Sequence, residues 1–214
     1  MTKVQAIKKL MEDNEGLASL SLIYKSIEEY YPNAKKSKHW EAGLRGVLYR
    51  EINNNKTFKK IDNALFSLVN FKEEEYLKDE IILSTERTVE IKSRIGQSFF
   101  RKSLLKSIKK CPFTNISNKS LLIASHIKPW ANSDDNERLD MNNGFLFTPT
   151  YDILFDKGYI SFKNDKSLII SASLDKNTIK ALNLIENDRI KLLPIENREL
   201  YLEYHRDIIL KKVG

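Results

Sequence analysis

Cysteine occurs once in these 214 residues, at Cys111, and histidine only three times. One cysteine excludes a disulfide framework and a four-cysteine zinc ribbon, so any metal must be held by carboxylates, histidine or hydroxyls. No stretch approaches the ~20 unbroken apolar residues of a membrane-spanning helix. The opening residues, MTKVQAIKKLMEDNEGL, are charged throughout and lack the compact apolar run of a signal peptide. A cytoplasmic location with no membrane partner is the expectation. Repeats and low-complexity tracts are missing too.

Acids are absent from residues 92–110, where Lys92, Arg94, Arg101, Lys102, Lys106, Lys109 and Lys110 gather. A second basic cluster, Lys35, Lys36, Lys38, Arg45, Arg50, Lys56, Lys59 and Lys60, faces only Glu41 and Glu51 across residues 33–61. The net charge is +7, and two clusters, one in each half, suggest a polyanion touched at two places. Solubility alone is the competing explanation for either cluster. Domains usually run to roughly 100–150 residues, so this length suits two small ones. We place them at residues 1–70 and 97–214, joined by a charged linker at 71–96.

In the first domain, Val4, Ile7, Leu10 and Met11 fall at helical spacing and stop before Gly16. Leu20, Ile23, Ile27 and Tyr30 repeat the pattern from a Ser19 cap to Pro32. A third helix runs from about Ser37 to Glu51, with Trp40, Leu44, Val47 and Leu48 facing inward. Gly43 and Gly46 within it each cost about 1 kcal/mol relative to alanine, which suggests close approach of another backbone. The following FKKIDNALFSL reads as a β-hairpin turning at Asp62 and Asn63. Three helices and a hairpin are the order of a winged helix, whose third helix enters the DNA major groove. Lys38, Arg45, Tyr49, Arg50, Lys59 and Lys60 sit where that geometry contacts DNA. A helical domain that binds protein is the alternative.

In the second domain, Phe99 or Phe100, Leu104 and Ile108 share a helical face of GQSFFRKSLLKSIKK. LLIASHI reads as a strand ended by Pro129, and GFLFT as another. Thr148 caps a helix with Pro149 at its first position, and Gly158 stops it. This strand, loop, strand, helix order is a ββα unit. It places His126 at one strand end, Asn143 at the start of the next, and Asp152 and Asp156 one turn apart on the helix. Neighbouring carboxylates suit a hard divalent ion such as Mg²⁺. An imidazole of ordinary pKa, ~6.5, can take a proton from water near neutral pH. Duller roles remain open for each: a hydrogen-bonded histidine, a helix-dipole aspartate at 152, turn residues at 143 and 156. Arg138 suits either substrate phosphate or an ion pair with Asp134, Asp135 or Asp140. His205 and Arg206 read as structural or DNA-contacting, and Trp130 as a core anchor.

The stretches LLIASHIKPW and NNGFLFTPTYDILFDKGYISF resemble the HNH endonuclease superfamily, in the branch found in many bacterial restriction enzymes. HWEAGLRGVLYREI and FKKIDNALFSL likewise resemble winged-helix modules attached to some of those enzymes. The resemblance covers about residues 94–162 and continues through LYLEYHRDIIL. It implies an α+β protein, an N-terminal winged helix followed by a ββα-metal nuclease domain. It also implies roles: His126 as general base, Asn143 as the brace of its loop, and Asp152 and Asp156 as metal ligands. Arg101, Lys102, Lys128 and Arg138 are candidate DNA contacts in this half. Two positions depart from the family pattern. Ser125 stands where a stronger ligand, aspartate or histidine, is common, and Asp152 where many members have histidine. The resulting all-oxygen set favours Mg²⁺ or Mn²⁺ over zinc. The expected function is hydrolysis of double-stranded DNA, as a restriction enzyme, with dependence on base modification left open. One such site cuts one strand, so double-strand cleavage implies a homodimer or sequential nicks. The alternatives are a DNA-binding regulator with a degenerate nuclease unit, and a nuclease acting on RNA or as a toxin.

Overall fold

Thr2 and Gln5 cap each other's backbone N–H groups, a capping box that starts helix α1 (Lys3–Glu12). The computed structural model describes residues 1–77 and 89–211, and it divides at residue 99 into two units, each with its own core. In the first unit, Ala6, Ile7, Leu10 and Met11 form the fully buried stripe of α1. Strand β1 (Leu17–Ser19) follows, and Ser19 then caps α2 (Leu20–Tyr30) by accepting from the Leu22 N–H at 3.1 Å. Helix α3 (Trp40–Asn53) completely buries only Leu44 and Leu48, leaving a broad polar face. Strands β2 (Phe58–Asp62) and β3 (Leu65–Leu68) make the hairpin, and β1 joins it antiparallel in the order β1-β3-β2.

Three details differ from the sequence expectation. Strand β1 was not foreseen, because three residues are too few to display alternation. Gly43 and Gly46 do not admit a neighbouring backbone. A Cβ added at Gly46 meets nothing within 4 Å, and one at Gly43 meets only the Lys3 ammonium at 3.5 Å. The expected linker opens with a helical turn, α4 (Glu73–Tyr76), and its residues 78–88 lie outside the described residues. Helix α5 (Val89–Ser107) begins before the expected position and runs through Gly96.

In the second unit, β4 (Ile123–His126) pairs antiparallel with β5 (Gly144–Phe147), setting His126 opposite Gly144. Helix α6 (Pro149–Asp156) follows, then the hairpin β6 (Ile160–Phe162) and β7 (Leu168–Ile170). Helices α7 (Lys176–Ala181) and α8 (Glu199–Tyr204) and a π-helical turn at His205–Ile209 complete the chain's described part. Phe145, Phe147, Phe155 and Phe162 form the centre of the core, every pair having ring centroids 5.4–6.2 Å apart. They tie β5, α6 and β6 together, and truncating any one would cost about 3–5 kcal/mol. All four residues of β5 are buried, which is why it lacks alternation. At Gly144 an added Cβ would lie 2.4 Å from the Phe100 ring and 2.9 Å from Leu104 Cδ1, so only glycine lets α5 pack this close. Gly158 stops α6 at φ +67°, and a Cβ there would lie 2.0 Å from the Ile209 carbonyl oxygen.

Candidate active site

His126 closes β4, and its ring lies flat on Phe100, with centroids 3.7 Å apart and planes 14° from parallel. Trp130 meets the same ring edge-on at 5.5 Å. Ring Nε2 is 3.0 Å from the Arg138 carbonyl oxygen. A carbonyl only accepts, so Nε2 carries the proton and, in the neutral ring, Nδ1 carries the lone pair. Burial drives the pKa down to about 4, against a smaller upward pull from the Arg138 carbonyl. The ring is therefore neutral at pH 7, in the form that accepts a proton.

The loop that carries the Arg138 carbonyl is held by Asn143, which is completely buried. Its Oδ1 accepts from the Lys128 N–H at 2.8 Å. Its Nδ2 contacts the Lys128 and Glu137 carbonyl oxygens at 3.2 and 3.1 Å and the Ser133 hydroxyl at 3.2 Å. One amide thus staples both ends of the loop between the strands. Lys128 and Glu137 add an ion pair at 2.6 Å, and Glu137 also accepts from the Asp134 N–H at 2.9 Å.

Asp152 lies in the first turn of α6, and its carboxyl is held above the ordinary range by burial. A hydrogen bond from Ser125 pulls it down, and the charge of Asp156 raises it further. Ser125 is buried on β4, which α6 packs against. Asp156 is solvent-facing, with Lys157 at 3.4 Å, an exposed pair of little energetic weight. Thr148 does not cap α6 with its side chain as expected; its hydroxyl sits 3.8 Å from Cys111 Sγ. Pro149 still supplies the helix start, because its missing N–H needs no partner.

Residues 111–163 match the HNH endonuclease family model. No curated protein matches the chain. The HNH match contains Ser125, His126, Asn143, Asp152 and Asp156, supports the superfamily, and points to a nuclease. It ends before α7, α8 and the π-helical turn.

Among the described residues no three His, Cys, Asp or Glu side chains gather to hold a metal ion. The oxygen donors that do meet are Asp152, Ser125 and, through its charge, Asp156. Among the described residues Asp152 has no cationic partner, and its carboxylate form is disfavoured by burial and by Asp156. A hard cation would relieve both effects. A set of one or two carboxylates fits Mg²⁺, which keeps several waters and takes substrate phosphate as further ligands.

The expected DNA contacts divide into two groups. Lys38, Tyr49 and Arg50 are exposed on the first unit. Arg45 donates to the Tyr24 hydroxyl at 3.1 Å, Lys59 to the Phe71 carbonyl at 3.0 Å, and Lys60 to Asn63 at 3.1 Å. In the second unit, Arg101 donates to the Leu122 and Lys119 carbonyls, and Lys102 is half-buried on α5. Lys128 is committed to Glu137, while Arg138 bonds Asp135 at 3.2 Å and the Trp130 carbonyl at 3.0 Å. The ion pair expected as one of the roles of Arg138 is present, with Asp135. Trp130, edge-on to His126, lies under the Arg138 guanidinium. Sequence reasoning missed Phe100 as the platform of His126. It also missed Arg198 and Tyr201, whose α8 segment returns to the turn holding Asn143. His205 is buried and structural. It stacks on Phe155 at 3.9 Å, donates through Nε2 to the Phe155 carbonyl, and accepts at Nδ1 from Ser161.

Proposed function

We propose that the protein is a divalent-metal-dependent endonuclease acting on double-stranded DNA, with His126 as general base. The observation that carries this reading is the Nε2–H bond to the Arg138 carbonyl, which leaves Nδ1 as the basic atom of a ring mounted on a ββα unit. In the proposed reaction Nδ1 takes a proton from water as the oxygen attacks phosphorus in line with the departing 3′ oxygen, giving a 5′-phosphate. Asn143 keeps the loop, and hence the tautomer, in place. Asp152 and Asp156, with Ser125 alongside, would hold Mg²⁺ or Mn²⁺; when bound, the ion supplies positive charge at the scissile phosphate and leaving oxygen. Few protein ligands imply weak metal binding shared with DNA phosphate.

The order α1-β1-α2-α3-β2-β3, with β1 added to the hairpin, supports a winged-helix reading of residues 1–70. In that reading α3 and the turn leading into it present Lys38, Arg45, Tyr49 and Arg50 to the major groove, and Lys59 and Lys60 lie on the wing. Restriction, with or without dependence on base modification, is the role that joins sequence-selective DNA binding to phosphodiester cleavage. A homodimer would supply the second cut. The linker reading of residues 71–96 belongs to the same proposal.

A second reading, a DNA-binding regulator with an inactive nuclease unit, is favoured by the weak donor Ser125 and the lack of a three-ligand cluster among the described residues. Incubating the full chain with methylated and unmethylated genomic DNA and Mg²⁺ or Mn²⁺, then sequencing the ends, separates the two. Cutting that His126→Ala abolishes supports the enzyme. Salt-sensitive binding without cutting on either DNA supports the regulator.

A further inference from the structure

We propose that Arg198 and Tyr201, both outside the segment matched by the family model, are positioning residues that fix the tautomer and orientation of His126. The inference rests on reading His126 as the general base.

Arg198 is only 4% exposed. Its guanidinium donates to three carbonyl oxygens: Nε to Gly144 at 3.1 Å, Nη2 to Met141 at 3.3 Å and Nη1 to Glu196 at 3.1 Å. Its Cζ lies over the Phe145 ring, 5.8 Å from the ring centre. Met141 and Gly144 bracket Asn143, so this one side chain holds the backbone on either side of the brace. Tyr201 grips the same turn from another point. Its hydroxyl donates to Asp140 Oδ2 at 3.0 Å, while Asp140 Oδ1 accepts from the Asn142 N–H at 2.9 Å. The Asp140 carbonyl accepts from the Asn143 N–H at 2.8 Å.

From this turn the linkage is continuous. The Asn143 amide contacts the Glu137 carbonyl, the next carbonyl belongs to Arg138, and that oxygen accepts from His126 Nε2. A carbonyl displaced by a few tenths of an ångström weakens this bond and admits the other tautomer, with the proton on Nδ1. That tautomer has no base at the required atom. Burying a guanidinium without a bonded carboxylate is costly, and a core that needed only packing would be served by an apolar side chain. The planar fork is what three separately directed carbonyls require.

The test uses the full chain labelled with ¹⁵N-histidine, with Arg198→Lys and Tyr201→Phe as variants and His126→Gln to assign the His126 signal. Lysine keeps the charge and loses the fork, while phenylalanine keeps the ring and loses one hydrogen bond. In the wild type we expect His126 as the single Nε2–H tautomer with a slowly exchanging ring proton. Both variants should give mixed tautomers and at least tenfold faster exchange of that proton. The His205 signal, fixed by the Phe155 carbonyl, should not move. On duplex DNA, kcat should fall at least fivefold at unchanged KM. Unchanged His126 tautomer and exchange in folded Tyr201→Phe overturns the proposal, even where Arg198→Lys fails to fold. A wild type that cuts no DNA refutes the nuclease reading alone, because the imidazole signals still decide whether these two residues position His126.

Discussion

Phe100 and His126 stack face to face across α5 and β4, and the phenylalanine ring also roofs Gly144, the strand partner of the histidine. One side chain thus keeps water from the imidazole and sets its plane. Phe100→Leu should let water reach the ring, so the His126 pKa should rise from about 4 toward its ordinary 6.5. Because burial is the main cause of the depression, its removal must move the value upward. The acid limb of kcat/KM against pH should move up in step. NMR titration of the ring gives the first value and initial rates the second; a ring still titrating near 4 would rule out Phe100 as its cover.

Asn143 is the residue whose loss should damage the loop most. Its Nδ2 faces two carbonyl oxygens and a hydroxyl. Asn143→Asp puts an acceptor opposite acceptors, whereas Asn143→Ala merely leaves them unpaired. Each stranded buried group costs about 1–3 kcal/mol. Both variants should therefore lose several kcal/mol in urea denaturation, with Asp the worse at pH 7. Limited proteolysis should newly cut between residues 128 and 142. An aspartate variant as stable as the wild type would show that the amide's orientation is not what holds the loop.

The sequence disclosed the ββα order because its signals are local: Pro149 at a helix start, Gly158 at a helix end, and a strand bounded by Pro129. The three helices and hairpin of the first unit were legible for the same reason, through the spacing of Ile7, Leu10, Ile23, Ile27, Leu44 and Leu48. Strand β1 was too short to carry a pattern. The contacts that hold His126 were beyond reach, since Phe100 lies 26 positions from it and Arg198 lies 54 from Gly144. Nothing in the neighbourhood of Arg198 in the chain distinguishes a buried fork from a surface base. Arg101 and Lys128 read as DNA contacts from charge alone, and only their carbonyl and carboxylate partners show how each is engaged.

His205 makes the fold sensitive to acid. Burial depresses its pKa from 6.5 to about 4, outweighing upward pulls from the Phe155 carbonyl and Asp156. The unfolded chain therefore binds more protons between those two values, and stability rises with pH across that window. The contribution is fully present above about 6.5 and is lost as pH falls through 4. Such a difference in proton affinity between the folded and unfolded chain is worth about 3 kcal/mol. His126 adds a contribution of the same sign. His205→Gln should be less stable at pH 7.5 yet flatter from pH 6.5 to 4 in urea denaturation. A variant as steep as the wild type would place the acid sensitivity elsewhere.

Gly158 should tolerate no side chain. Its φ of +67° disfavours every other residue type, and its missing Cβ is the space occupied by the Ile209 carbonyl oxygen. The Gly158 carbonyl also accepts from the Lys211 N–H at 2.9 Å, so the π-helical turn is fastened to the end of α6. Gly158→Ala should cost more than the ~1 kcal/mol of a strained φ alone. Hydrogen exchange should speed up at residues 205–211 first. Uniformly faster exchange across the unit would show general destabilisation instead.

Asp152 offers the most direct test of a bound cation. At neutral pH its buried carboxylate and the charge of Asp156 oppose each other, so Mn²⁺ should stabilise the folded protein by relieving that opposition. At a free ion concentration ten times Kd the gain is about 1.4 kcal/mol, a rise of a few degrees in Tm. Asp152→Asn removes one of the two charges and should abolish the Mn²⁺-dependent rise while leaving the metal-free Tm unchanged or slightly higher. Protons compete with the ion for the same oxygens. Since the Asp152 pKa is raised, the Mn²⁺ effect should fade at a higher pH than for an ordinary aspartate. Equal Mn²⁺ shifts in wild type and Asp152→Asn would move the ion away from α6, and with it the metal half of the proposed mechanism.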